Sequence, residues 1–194
     1  MHTMRSSVLS ALAVIIGLVT TADAAPRKKY HYAIAAVTAK EVKPDLVKVV
    51  QPRVEGQVKK AFETHPQLVA NLEGAPDAKT SKDAYRAYLA KKGLAGSYTV
   101  TVEITEATEE VVPVEGKPTT QRLVVHIALH MLGEKIPEMT MGFSGDGHAT
   151  IKQEVGLKIR DKDREYSWDD CAKLAVEDAI KESLKQLELP PKKK

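Results

Sequence analysis

The stretch GSYTVTVEIT, residues 96–105, decides the fold because its apolar and polar side chains alternate from Tyr98 onward. A period of two is typical of a β-strand that buries one face and exposes the other to solvent. The predicted inward residues are Tyr98, Val100, Val102 and Ile104, and the predicted outward residues are Thr99, Thr101, Glu103 and Thr105. A half-buried strand of this kind needs neighbouring strands and an apolar cover, and the flanking sequence predicts both.

Two further strands are predicted to follow it as an antiparallel meander. A turn at residues 114–118 leads to QRLVVHIALHML, residues 121–132, which is apolar on nearly both faces and is typical of a central strand. A second turn, at residues 133–135, leads to a third strand. The apolar positions of that strand are Met139, Met141, Phe143, Ala149 and Ile151.

The upstream sequence predicts one strand and two helices. KYHYAIAAVTA, residues 29–39, alternates well enough to be a first strand. Apolar residues then recur at steps of three and four from Pro44 to about Thr64, which is typical of a helix with one buried face. Pro52 interrupts this stretch and predicts either a kink in one helix or the first turn of a second. A polar loop and a short helix follow, and Gly93 is placed to end that helix in a left-handed conformation.

The final helix is predicted to begin at Ser167, with Asp170 three residues on as a capping pattern, and to end at Pro190. Its inward face comprises Trp168, Ala172, Ala175, Val176, Ala179, Ile180, Ser183, Leu184 and Leu187. The order of a strand, helices, a meander and a last helix predicts the α+β class. We therefore expect one domain with a mainly antiparallel sheet of about four strands, packed by an N-terminal and a C-terminal helix, plus a short helix.

Residues 1–24 are predicted to be a signal peptide. Arg5 supplies its positive charge, and an apolar run follows. Ala22-Asp23-Ala24 then places small residues at the −3 and −1 positions that a signal peptidase recognises. The apolar run is shorter than the roughly 20 residues that a membrane span needs, so a retained anchor is the weaker alternative. No cysteine lies near its end to carry a lipid. Cleavage after Ala24 would leave a periplasmic or secreted domain, residues 25–194.

The net charge of +3 is concentrated in two basic tails. Residues 27–29 and residues 192–194 are all Lys or Arg, and residues 30–191 between them carry a net charge of −3. Such tails can touch anionic lipid, cell-wall polymer or nucleic acid by nonspecific attraction, and a solvated end is the alternative. The body has few aromatic residues and no basic stripe, so no specific nucleic-acid recognition is predicted.

Cys171 is the only cysteine, which excludes an internal disulfide. Its place in the last helical pattern predicts a buried small side chain, with a reactive thiol or an intermolecular bridge as the alternative. The stability of the fold must therefore come from side-chain packing and not from a disulfide.

The glycine-rich stretch GFSGDGHA, residues 142–149, raises the question of a phosphate or metal loop. A phosphate loop needs a helix directly after it, and the following residues have the pattern of a strand. A calcium loop needs several carboxylates, and Asp146 stands alone. The stretch is therefore predicted to be a turn or bulge at Ser144-Gly145-Asp146-Gly147, with glycines in positive φ.

Histidine and acidic residues offer no clear site. His126 and His130 would lie about 13 Å apart on a strand, too far for one metal ion, and an imidazole paired with Asp146 or His148 of a neighbouring strand stays an alternative. No partner is predicted for His31 or His65. The carboxylates of Glu103, Glu106, Glu109 and Glu110 are predicted to form a solvated edge. The sequence thus predicts no catalytic, cofactor or metal residues, and a protein that is not an enzyme.

The pattern of elements resembles a small α/β domain of bacterial envelope proteins. The quoted segments are VQPRVEGQVKKAFETHPQLV, GLAGSYTVTVEI, FSGDGHATI and CAKLAVEDAIKESLKQL. Together they are similar to the lipoprotein activators of penicillin-binding proteins, the periplasmic part of the curli secretion channel and the N-terminal domain of the Tol-system propeller protein. The resemblance covers residues 30–189 and implies noncatalytic binding to another envelope component. The anchoring cysteine of the lipoprotein members is missing here, and no binding residue is carried over.

Three functions are weighed on these grounds. The first is a non-catalytic periplasmic or secreted binding domain that meets an envelope protein through a sheet edge, the wet face around residues 99–105, or a helix face. The second is a small-ligand or metal carrier that uses His126, His130 and His148. The third is a hydrolase with an unrecognised site, which predicts a deep cleft with perturbed carboxylates or histidines.

Overall fold

The computed structural model describes residues 27–189, and the predicted signal peptide, its cleavage site and the C-terminal lysines lie outside the described residues. Three helices and five strands follow one another along the chain. In chain order they are β1 (Lys29–Ala39), α1 (Pro44–Thr64), β2 (Leu68–Val69), α2 (Lys82–Lys91), β3 (Leu94–Val114), β4 (Lys117–Ile136), β5 (Thr140–Gly156) and α3 (Asp161–Glu188).

The α+β class is confirmed, but the sheet is mixed and five-stranded instead of antiparallel and four-stranded. The strand order is β2-β1-β3-β4-β5. The strands β3, β4 and β5 form the predicted antiparallel meander, whereas β1 runs parallel to both β2 and β3. Helix α1 lies between β1 and β2 in the chain, and α2 lies between β2 and β3, so these helices supply the crossovers that parallel pairing needs. The two-residue strand β2 is too short to be recognised by periodicity.

One face of the sheet carries the core. The inward residues predicted for β3, Tyr98, Val100, Val102 and Ile104, are all buried. Helix α1 turns one stripe toward them, made of Val50, Val54, Val58 and Phe62. Pro52 lies inside this single continuous helix, which settles the alternative that the sequence left open. Gly93 has φ +68° directly after α2, as predicted.

Helix α3 lies directly on the backbone of β5. A Cβ atom at Gly145 would stand 2.6 Å from the carbonyl oxygen of Ala179, and one at Gly147 would overlap the carbonyl oxygen of Ala175. The prediction of a turn with positive φ at residues 144–147 is therefore wrong, because these residues belong to the extended strand β5. The register between β4 and β5 shifts only at Gly142, which is left over between Met141 and Phe143. The glycines allow a helix to approach closely.

Helix α3 begins at Asp161, six residues before the predicted start. Asp163 accepts hydrogen bonds from the backbone N–H of Arg160 at 3.4 Å and from its guanidinium at 2.8 Å. Acidic residues in this first turn also suit the positive end of the helix dipole. Ser167 is buried inside the helix, and its hydroxyl donates to Gln153 Oε1 at 2.8 Å.

Cys171 is buried under β4 and β5, as predicted. Its Sγ lies 3.3 Å from the carbonyl oxygen of Ala149, and burial raises the pKa of the thiol to about 11. The side chain acts as a packing residue at this position. Within residues 27–189, none of the helices combines the length and apolar character of a membrane span.

Candidate binding surface

The side of the sheet opposite α1 and α3, here called the outer face, is built from the residues that alternate with the core positions. On β3, β4 and β5 these residues pair across the strands in rows, such as Glu103 with His130 and His130 with Asp146. Apart from Ser97, which lies under α2, their side chains are partly or fully exposed, while most of the inward residues between them are buried. The period of two on GSYTVTVEIT thus produces a face that is open to solvent.

One row of the outer face carries polar side-chain pairs. His130 Nδ1 donates to Asp146 Oδ1 at 2.5 Å. On the next strand, Lys40 Nζ lies 2.7 Å from Glu103 Oε2. An imidazole paired with Asp146 was one of the alternatives from the sequence, and His130 forms this pair in the structure.

The other two sheet histidines have separate partners. His126 Nδ1 lies 2.9 Å from Thr150 Oγ1, and its Nε2 lies 3.6 Å from Glu106 Oε2. His148 lies on the edge strand with its Nδ1 3.7 Å from Asp178 Oδ2. In the part of the chain that the structure describes, no three His, Cys, Asp or Glu side chains are grouped to hold a metal ion.

A bulge divides the predicted acidic edge into two sets. The register of β3 against β4 shifts between Ile104 and Glu106, which reverses the phase of the alternation beyond this point. Glu106 joins Glu103 on the outer face, whereas Glu109 turns inward. Glu109 accepts a hydrogen bond from the indole of Trp168 at 2.9 Å and one from Arg164 at 2.8 Å. Glu109 is therefore a structural residue, not part of a solvated edge.

An apolar groove lies at the end of the outer face and is here called the Met139 groove. Its volume is ≈ 620 Å³, within the range of small-molecule sites. Residues 77–82 form one wall and residues 136–139 form the other, with Thr99 and Glu134 between them. Met139 adopts a left-handed φ of +55° and is 52% exposed. The sequence pattern contained no signal for this groove, because its walls are far apart in the chain.

An ion pair joins the two walls. Arg86 of α2 donates to Glu138 Oε1 through Nε at 3.1 Å and through an Nη at 3.0 Å. Burial raises the pKa of Glu138. The hydrogen bonds from Arg86, a backbone hydrogen bond and the charges of Lys135 and Arg86 together lower it by more, so the pKa lies below its usual value. Glu138 therefore stays ionised at neutral pH and ties α2 to the turn.

A buried polar network lies beside the groove, under α2. His31 Nδ1 lies 2.7 Å from Ser97 Oγ, and Ser97 Oγ lies 2.8 Å from the hydroxyl of Tyr85. Burial lowers the pKa of His31, and a hydrogen bond to the backbone of Ala70 opposes this effect only in part. The prediction that His31 has no partner is therefore wrong. Ser97 is fully buried, so this serine–histidine pair is closed to a substrate.

The comparisons with known proteins find similar structures but no related sequence. No family model and no curated protein matches this chain. A minor lipoprotein of Acinetobacter baumannii is 10% identical with a TM-score of 0.39, and the match covers 73% of this chain and 89% of that one. Protein XCC0632 of Xanthomonas campestris is 10% identical with a TM-score of 0.45, over 83% and 87% of the two chains. Rare lipoprotein B of Shewanella oneidensis is 7% identical with a TM-score of 0.36, over 77% and 91%.

Likenesses at this level carry no argument about function. The resemblance to the three envelope protein families stays a prediction, and the function must be argued from the surface of this chain itself.

Proposed function

We propose that this chain is a non-catalytic binding domain of the bacterial cell envelope, and that it meets a partner protein through the outer face. The observation that supports this proposal is that the outer face is open, while helix side chains engage the free edge of β5 and the part of β1 that the short strand β2 leaves unpaired. The sequence predicted three candidate surfaces: a sheet edge, the solvent-exposed face around residues 99–105, and a helix face. The difference between the open face and the engaged edges favours the face around residues 99–105.

The free edge of β5 is engaged by side chains of α3. The backbone N–H of Ser144 donates to Gln186 Oε1 at 3.0 Å, and that of His148 donates to Asp178 Oδ2 at 3.3 Å. At the other side of the sheet, Gln51 of α1 donates to the carbonyl oxygen of Val37 at 2.8 Å. A partner strand that paired with these edges would have to displace such bonds, so strand addition is disfavoured.

The outer face has the chemistry of a polar recognition surface. Threonines, carboxylates and imidazoles stand in fixed cross-strand rows, and the pairs His130–Asp146 and Lys40–Glu103 hold several of them in place. Glu106 is more than half exposed and adds a carboxylate that a cationic side chain could meet. A partner with exposed Lys or Arg residues would complement this surface.

The envelope location in this proposal depends on the predicted signal peptide. A basic residue, an apolar run and a small-residue cleavage site are the features of an exported chain. The two basic tails could add a nonspecific attraction to anionic surfaces.

The two rival functions have weaker support. The hydrolase hypothesis expects perturbed carboxylates or histidines in a deep cleft. The carboxylates with a lowered pKa, Glu138, Glu154 and Asp163, are each paired with an Arg or Lys side chain. His31 is buried against Ser97. The carrier hypothesis expects the sheet histidines to converge, and each of them has a different partner. The concavity that a small ligand needs lies in the Met139 groove instead.

Site-specific photocrosslinking in cells tests the proposal. A photoreactive residue at Thr101 or Thr108, on the outer face, should capture one dominant envelope protein, and the same residue at Lys181, on the solvent side of α3, should not. A Glu106→Lys variant should reduce the capture, whereas Glu177→Lys, the same change on α3, should preserve it. Equal capture from both sides of the molecule would refute the proposal.

A further inference from the structure

We propose that the Met139 groove binds a single-chain amphiphile with a carboxylate head group. This inference goes beyond the proposed function, because it concerns a small ligand in a groove at one end of the outer face.

The size and lining of the groove suit an aliphatic chain. Its volume of ≈ 620 Å³ lies within the range of small-molecule sites. Ala78 on one wall faces Ile136, Pro137 and Met139 on the other, and the exposed lining is mainly apolar. Such a surface offers an alkyl chain contact along its length.

Met139 is exposed in a position where a protein normally has a smaller or polar residue. It is 52% exposed and adopts a left-handed backbone conformation that a long side chain rarely takes. Its backbone N–H donates to the carbonyl oxygen of Lys135 at 2.8 Å, which holds the turn in this geometry. A thioether side chain adapts its shape to an apolar ligand, so Met139 can close over a bound chain.

An ion pair links α2 to the turn that forms the second wall of the groove. The Arg86–Glu138 ion pair connects α2 to the turn, and Glu138 also lies 3.7 Å from Lys135. The walls therefore keep their separation, and little ordering has to accompany binding.

The rim of the groove selects the head group. Lys79 and Lys82 are both exposed, and neither forms an ion pair with another residue of the described range 27–189. Asp77 and Glu134 also contribute to the lining, and Asp77 Oδ1 accepts the backbone N–H of Lys79 at 2.8 Å. Lysine stems can lie along apolar surface while the ammonium groups reach solvent, where they can meet a carboxylate.

A displacement assay tests this inference on the purified protein. The probe is N-phenyl-1-naphthylamine, whose fluorescence rises in an apolar site, and the competitors are laurate, dodecanol and dodecyltrimethylammonium, each below its micelle concentration. We expect saturable probe binding, and displacement by laurate at a concentration about tenfold lower than by the cationic competitor. Equal displacement by the anionic and cationic chains would overturn the head-group assignment, and a lack of saturable probe binding would overturn the site.

Matched variants locate the site. Met139→Glu should abolish probe binding, whereas Met141→Glu should preserve it, since Met141 is also exposed but does not line the groove. Ala78→Glu, on the opposite wall, provides a second test if Met139→Glu unfolds. A double Lys79→Glu, Lys82→Glu variant should keep the probe and lose the preference for laurate. Loss of binding in Met141→Glu as well would contradict the inference, and none of these outcomes depends on capture of a partner protein by the outer face.

Discussion

Gly147 of β5 and Ala175 of α3 lie backbone to backbone, with no side chain between them. A Cβ atom at Gly147 would overlap the carbonyl oxygen of Ala175 and would lie 2.7 Å from the backbone nitrogen of Ala179. Neither backbone can move without disturbing the strand or the helix. The contact therefore sets how close α3 can lie to the sheet.

We expect Gly147→Ala to lower the free energy of unfolding by at least about 2 kcal/mol, because the added methyl group overpacks a backbone contact. Urea denaturation measures this change. Gly156→Ala is the control, since a Cβ atom there meets nothing within 4 Å, and it should change stability by less than about 0.5 kcal/mol. Similar losses in both variants would show that the helix contact is not the cause.

The pH dependence of stability should reveal the buried His31. Its pKa is lowered by burial, so its contribution is fully present above the unfolded pKa and is lost as the pH falls toward the lower folded pKa. The loss is at most about 1.4 kcal/mol per pH unit for this group. His65, whose pKa is also lowered by burial, adds to the same trend.

Urea midpoints at several pH values between neutrality and mild acid would measure this trend. We expect His31→Asn to flatten the profile, and a double His31→Asn, His65→Gln variant to flatten it further. A single His31→Asn variant with the wild-type slope would contradict the assignment.

Removing the side chains that engage the β5 edge should promote self-association. A double Asp178→Ala, Gln186→Ala variant frees the backbone N–H groups of His148 and Ser144 for another strand. We expect light scattering to rise faster during a thermal hold, together with a stability loss of about 1–3 kcal/mol for the two hydrogen bonds. Lys181→Ala, on the same helix, should scatter like the wild type. If the double variant also scatters light like the wild type, the two hydrogen bonds do not protect the edge of β5 from association.

Glu109 should stabilise the N-terminal half of α3 through Trp168, the only tryptophan. Glu109→Ala removes the acceptor of the buried indole N–H and should cost about 1–3 kcal/mol. Glu109→Gln keeps an acceptor oxygen for the indole and should cost less. Glu110→Ala, an exposed neighbour, is the control. The emission of Trp168 reports the change directly, and an unchanged emission and stability in Glu109→Ala would disprove the role.

The sequence predicts the elements well where one period dominates. The alternation from Tyr98 to Ile104 places four core residues and the outer face, because a strand between a core and solvent leaves this pattern. The stripe of α1 is readable for the same reason, even with Pro52 inside it.

The errors arise where one residue type serves two geometries. Glycine suits a turn because it allows positive φ, and it suits a strand under a helix because it lacks a Cβ atom, so Gly145 and Gly147 could not be assigned from sequence. The bulge before Glu106 leaves no mark in the sequence, and for that reason the inward position of Glu109 was missed.

The candidate sites were predicted less well than the fold. The pairing of His130 with Asp146 was among the alternatives, since both lie on strands that the meander makes neighbours. The Met139 groove was not predicted, because it depends on residues 77–82 and 136–139 coming together in the folded chain.

The alternation on β3 and β4 separates the side chains of the sheet into two sets with different roles. The inward residues hold α1 and α3, and their replacement would unfold the chain, while the outward residues have few packing duties. Mutations can therefore accumulate on the outward set with little loss of stability. A scaffold of this kind can acquire a new binding specificity, in evolution or by engineering, without first being redesigned.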